Sequence, residues 1–126
     1  MTAPDHATSR RRKAWRQGLW AETLAAWMLR LKGYRILARR FRSGQGEIDL
    51  VARRGSVVCF VEVKARTSSV DGEIISYKQR RRIERAAEIF MQRHPRLAHL
   101  GIRFDAVIVS GSWIPAHQAD AWRPGD

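Results

Sequence analysis

The segment from Gly46 to Lys64, GEIDLVARRGSVVCFVEVK, sets three carboxylates and a lysine among residues that otherwise read as two strands. Apolar and polar residues alternate in period two on either side of Arg54-Gly55, a turn signal. Alternation puts Glu47, Asp49 and Val51 on one side of the first strand, and Val58, Phe60, Glu62 and Lys64 on one side of the second. A two-residue loop at Arg54-Gly55 pairs Arg53 with Ser56. Glu47 then lies opposite Glu62, and Asp49 lies opposite Phe60, diagonal to Glu62. Opposed Cβ atoms stand about 5 Å apart and diagonal ones about 7–8 Å. Carboxylates that close repel one another and resist ionisation. A hard dication removes the conflict, because Mg²⁺ takes one or two carboxylates and keeps waters for a phosphate. The chemistry predicted is attack of water on a phosphodiester, with Asp49 and Glu62 as ligands of Mg²⁺ (Mn²⁺ as a substitute) and Glu47 as an accessory acid. Lys64 would act on the water or on the charge that develops at phosphorus. The rival reading is a solvent-facing sheet surface, where an exposed Glu62–Lys64 pair contributes little.

A further carboxylate comes from upstream. In LWAETLAAWMLRL, Leu19, Ala25, Ala26 and Leu29 surround Glu22 on its own side, and the segment is apolar almost all round. Such a helix is expected to be buried, and a lone buried carboxylate is costly unless it is paired or metal-bound. Glu22 is therefore expected either to complete the metal shell or to pair with one of the many arginines. Gln79 is an accessory candidate on the buried side of a later helix, although Ser76-x-x-Gln79 is also the spacing of a helix cap.

The elements that must position these residues can be placed from periodicity. Trp20, Leu24, Trp27, Met28 and Leu31 recur at helical spacing from Trp15 to Leu31, and Gly33 fits a stop. YRILARRFR, GEIDLVAR and VVCFVEVKAR read as three strands. TSSVDGE reads as a loop, and Ser76 to about Arg93 as a helix with Ile83, Ala86, Ala87 and Phe90 on its buried stripe. Pro95 ends it, IRFDAVIVS is a buried strand, and SWIP begins a short edge strand. The order αβββαβ(β) predicts an α/β fold, a mixed sheet flanked by helices. One domain is expected over residues 15–114, with a flexible basic arm at 1–14 and a weakly patterned tail at 115–126.

Charge narrows the partner. The chain has 24 Lys+Arg against 12 Asp+Glu, a formal +12. Basic domains of this size bind polyphosphates, because each phosphate contact releases counterions. Arg35, Arg39, Arg40 and Arg42 crowd the first strand, and Lys78, Arg80, Arg81, Arg82 and Arg85 the start of the second helix. Both groups are candidate tracks for a nucleic-acid backbone, DNA ahead of RNA, against the rival reading of two solvated faces. Trp113 and Trp122 could stack on bases, though core or edge packing is the expectation. No apolar run approaches the roughly 20 residues of a membrane span. No secretory signal follows the N-terminus, and the single Cys59 can form no internal disulfide, so no membrane partner and a cytoplasmic location are expected. The four histidines show no metal-ligand spacing, which argues against zinc.

The layout AE in the first helix, GEIDLV, a turn, FVEVKAR and then a basic helix resembles the YraN family of bacterial proteins. That family is grouped with the Holliday-junction-resolvase-like nucleases of the PD-(D/E)xK endonuclease superfamily. The resemblance runs from about Gln17 to about Ile114 and implies a restriction-endonuclease-like core. It implies Asp49 as the motif aspartate, Glu62 and Lys64 as the Glu-x-Lys pair, Glu22 as the helix-one glutamate, and an endonuclease acting on branched or junction DNA. Ile48 stands where the superfamily motif has proline. A symmetric junction takes two sites, which a homodimer would supply. The alternative function is a nucleic-acid-binding protein that keeps the nuclease fold without turnover.

Overall fold

The computed structural model describes residues 6–65, 75–110 and 114–126, with side chains from Gly18 onward. The loop read at TSSVDGE and the side chain of Trp113 lie outside the described residues. The elements are α1 (His6–Leu31), β1 (Arg35–Ser43), β2 (Gly46–Arg54), β3 (Val57–Ala65), α2 (Tyr77–Arg93), a short 3₁₀ turn (Pro95–Leu97), β4 (Gly101–Val109) and β5 (Ala116–Trp122). One sheet holds all five strands in the order β1-β2-β3-β4-β5. Its ladders are antiparallel except β3–β4, which is parallel and is bridged by α2. A short loop permits an antiparallel return, whereas a parallel strand needs a crossover of helical length. The α/β architecture and the order αβββαβ(β) are as expected, and they are consistent with a restriction-endonuclease-like fold.

Period-two alternation splits the sheet residues between two cores. Val51, Val58, Phe60, Phe104 and Ala106 face α2, where Ile83, Ala86, Ala87 and Phe90 close the layer. Leu50, Ala52, Cys59, Val61, Val107 and Val109 face Ala21, Ala25, Ala26 and Leu29 of α1. Ser76 caps α2 by accepting a hydrogen bond from the Gln79 backbone N–H at 3.2 Å, so the capping reading of that spacing holds for its serine half.

Three sequence expectations change. Helix α1 starts at His6 rather than Trp15, within the stretch read as an arm. Its aromatic stripe does not face inward: Trp20, Trp27 and Leu31 are largely exposed, and the alanine face is the buried one. Alanine lets the helix backbone lie close on a sheet of branched side chains, where tryptophan at the same positions would hold it off. The last strand falls at Ala116–Trp122, past SWIP. Trp122 is buried there, stacked on Phe104 at 5.2 Å with its indole N–H donated to Glu84 at 3.1 Å. It is core, as expected for that tryptophan.

Candidate active site

The β2–β3 hairpin closes one residue later than the sequence suggests. Arg54 pairs with Val57 across Gly55-Ser56, and Gly55 takes a positive φ of 58°. The register becomes Arg53↔Val58, Val51↔Phe60 and Leu50↔Val61. Glu47 therefore does not face Glu62. Both sides of the hairpin slip together, so the partner of each residue changes by two. Alternation itself breaks on β2: Ile48 packs with Val51 on the α2 side while Leu50 and Ala52 face α1, so the expected sharing of one face by Glu47, Asp49 and Val51 does not hold from Ile48 to Val51. Asp49 moves to the position level with Glu62, and Glu47 sits across β1 from Arg42, with Nε to carboxylate at 3.3 Å.

Pairing between β2 and β3 ends at Leu50↔Val61, although both strands continue. Asp49 fills the fork. Its Oδ2 accepts a hydrogen bond from the Val63 backbone N–H at 2.8 Å. Its side chain neighbours that of Glu62. Burial, then the neighbouring Asp49 charge, pushes Glu62 up to about 8, although Lys64 Nζ stands 3.3 Å from its Oε1. Asp49 is also raised, by burial first and then by Glu22 and Glu47, against the opposing hydrogen bond from Val63.

Helix α1 supplies Glu22 from the other side. It is 5% exposed, and both oxygens accept from arginine: Arg39 Nε at 3.2 Å and Arg40 Nε at 3.0 Å. Consecutive strand residues normally point to opposite faces, so two adjacent arginines should not reach one carboxylate. Arg40 breaks the rule with a φ of 54°, a left-handed conformation that costs a non-glycine residue about 1–2 kcal/mol. Periodicity gives no signal for this reversal. A cavity of about 210 Å³ opens above these groups, lined by Gly18, Glu22, Arg40, Arg42, Glu47, Ile48, Asp49 and Val63. Glu62 and Lys64 are not part of its wall; they join it through Asp49.

Each acid but one has its cation: Glu22 has Arg39 and Arg40, Glu47 has Arg42, and Glu62 has Lys64. Among the described residues Asp49 has none. Among the same residues no three acidic, histidine or cysteine side chains form a ready metal cluster. Asp49 and Glu62 nevertheless fit a hard cation, being two adjacent carboxylates held apart from ionisation by burial and by each other. Glu22, saturated by two guanidinium groups, would have to give one up to join them. Of the predicted tracks, Arg39, Arg40 and Arg42 are engaged with acids of the site. Lys78, Arg81, Arg82 and Arg85 line a separate groove, and Arg80 Nε donates to the Ile75 carbonyl at 3.1 Å.

A second polar cluster escaped sequence reasoning. Asp105 is fully buried on β4 and accepts two hydrogen bonds from Arg103 at 2.8 Å, one from His117 Nε2 at 2.8 Å and one from the Asp120 backbone N–H at 3.0 Å. Arg103 also donates to the Tyr34 hydroxyl at 2.7 Å, and Lys32 Nζ lies 2.9 Å from His117 Nδ1. The one signal in the sequence is an acid inside the apolar run IRFDAVIV. Its role is structural, tying β5 and the end of α1 to the sheet.

The profile of the uncharacterised protein family UPF0102 matches residues 21–109, which hold Glu22, Asp49, Glu62 and Lys64. A UPF0102 protein of Parvibaculum lavamentivorans is 52% identical over 112 residues, 88% of this chain and 84% of its own. One of Paramagnetospirillum magneticum is 54% identical over 116 residues, 87% and 89% of the two chains. Another, of Maricaulis maris, is 49% identical over 121 residues, 94% of each.

Proposed function

The chain belongs to the uncharacterised protein family UPF0102, the YraN family, and from the geometry of its strand fork we propose that it is a metal-dependent endonuclease of DNA. Branched and junction forms are the favoured substrates. The observation that carries this reading is the Asp49–Glu62 pair: two neighbouring buried carboxylates, the first in the wall of a cavity edged by arginines and the second beside Lys64.

Asp49 and Glu62 would hold Mg²⁺ or Mn²⁺. That ion, when bound, supplies charge stabilisation at phosphorus and a more acidic water. The remaining roles fall to the chain. The Val63 N–H keeps one Asp49 oxygen fixed in a residue that lines the cavity. Lys64, about a third exposed, supplies positive charge beside Glu62 and can orient water beside the scissile phosphate. Arg40 and Arg42 at the cavity wall attract a polyanion and oppose the charge that builds on its oxygens. Glu22 holds Arg40 in place.

The saturation of Glu22 by two arginines favours a second reading, a binding module without turnover, which would show salt-dependent binding and no cleavage. The deciding experiment incubates purified protein with labelled branched, duplex and single-stranded DNA in Mg²⁺ or Mn²⁺, beside Asp49→Ala and Lys64→Ala. Cleavage by the wild type alone supports the nuclease. Cleavage that survives both changes ends the assignment.

A further inference from the structure

A groove separate from the acidic cavity lies where the start of α2 meets the β1–β2 turn. We propose that it is a docking subsite for an unpaired nucleotide, with Tyr77 as the stacking platform and Lys78, Arg82 and Arg85 on the flanking phosphates. The proposal rests on the nuclease reading for the identity of the strand. The groove measures about 640 Å³ and is lined by Gly44-Gln45, Tyr77 and four cations of α2, with no acid in its wall among the described residues. Arg81, one of the four, is drawn 3.9 Å from Glu84, which leaves the other three as the stronger phosphate ligands.

Tyr77 decides the ligand class. It is the first residue of α2 and is 59% exposed, so most of it meets water rather than core. A duplex keeps its base faces stacked inside and presents phosphates and groove edges, for which cations alone would serve. A ring at the surface gains only from a base that has left its stack, and such stacking is indifferent to base identity.

The groove and the acidic cavity are also held in register. Gly46 leaves no room for a Cβ against the Arg82 backbone, so the β1–β2 turn lies directly on α2. From Gln45 in the groove to Asp49 in the cavity, four strand residues at about 3.3 Å each span about 13 Å.

The test measures binding of the full chain in chelator, without divalent cation, so that cleavage does not enter. Labelled oligothymidine and a blunt duplex of equal length are titrated by fluorescence anisotropy. Tyr77→Ala is expected to weaken the oligothymidine by about 5-fold to 150-fold, and Tyr77→Phe to keep wild-type affinity. The duplex should change by less than about two-fold under either, since its bases stay stacked. Arg82→Ala should weaken both ligands and flatten the salt dependence. An unchanged Tyr77→Ala, an equal loss on both ligands, or a Phe variant as weak as the Ala variant overturns the subsite and leaves the nuclease reading standing. Selective loss with no cleavage by the wild type in Mg²⁺ supports the subsite and strikes the nuclease reading alone.

Discussion

The Asp49 carboxylate accepts the Val63 backbone N–H at 2.8 Å, so a side chain occupies the place in the ladder that the departing β2 backbone has vacated. The bond satisfies a donor that the fork would otherwise orphan, and it orients the acid toward Glu62. Structure and site thus share one hydrogen bond.

Asp49→Asn keeps a carbonyl oxygen able to accept from Val63 and removes the charge. The variant is expected to melt close to the wild type and to lose about 10²-fold or more in phosphodiester cleavage. Circular dichroism melting and gel-based cleavage, run on the same preparation, check both halves.

Glu62 makes stability fall with rising pH. Its folded pKa, about 8, lies above its unfolded value near 4.5, so the native state holds a proton that the unfolded state releases between them. The stabilising contribution is complete below about 4.5, declines by up to about 1.4 kcal/mol per pH unit, and is gone above about 8. Urea titrations from pH 5 to pH 8 should show the decline, and Glu62→Gln should flatten it. A wild-type midpoint that rises over this window would contradict the raised pKa of Glu62.

Divalent cation should reverse that loss. A ligand bound only by the native state at 100 times its Kd stabilises by about 2.7 kcal/mol. Mg²⁺ is expected to raise the melting temperature of the wild type at pH 8 and to leave Asp49→Asn unmoved. Differential scanning calorimetry reads the difference directly.

Asp105 has the opposite pH sign. Burial alone would raise its pKa, but Arg103, His117 and the Asp120 N–H outweigh it and hold the carboxyl far below the usual carboxylate range. Its contribution is present above the unfolded value near 4 and is lost as the pH falls toward the lower folded one. Asp105→Ala strands Arg103 and should cost about 3–5 kcal/mol. A denaturant midpoint within a few tenths of the wild type's would refute that. Mg²⁺ should still raise the variant's melting temperature, because the cluster and the fork are separate.

Gly46→Ala pushes a methyl into the Arg82 backbone, which cannot yield as a flexible side-chain tip would. The cost expected for such overpacking is about 1–3 kcal/mol, read as a lowered melting temperature.

The strands that carry the acids of the fork were legible from alternation, but their faces only in part: period two holds on β3, whereas on β2 Ile48 and Val51 share the α2-side core, which strict alternation would put on opposite faces. Helix α2 was more legible: the stripe Ile83, Ala86, Ala87 and Phe90 and the cap Ser76 all sit where periodicity and capping place them. Helix α1 misled, since hydrophobicity ranks tryptophan above alanine whereas close approach to a sheet favours the smaller residue. The groups on Glu22 could not be chosen among 24 basic residues, because the choice depends on a single reversed φ at Arg40.

Local patterning therefore determined the order of elements, the α/β class and which strands carry the ionisable groups, all consequences of backbone geometry repeated every two or 3.6 residues. The parting of β2 from β3, the burial that raises the pKa of Glu62 beside Asp49, the arginines spent on Glu22 and the buried Asp105 cluster were decided only in three dimensions. Each depends on what lies across a gap from residues distant in the chain, and desolvation and pairing are properties of that gap rather than of either segment.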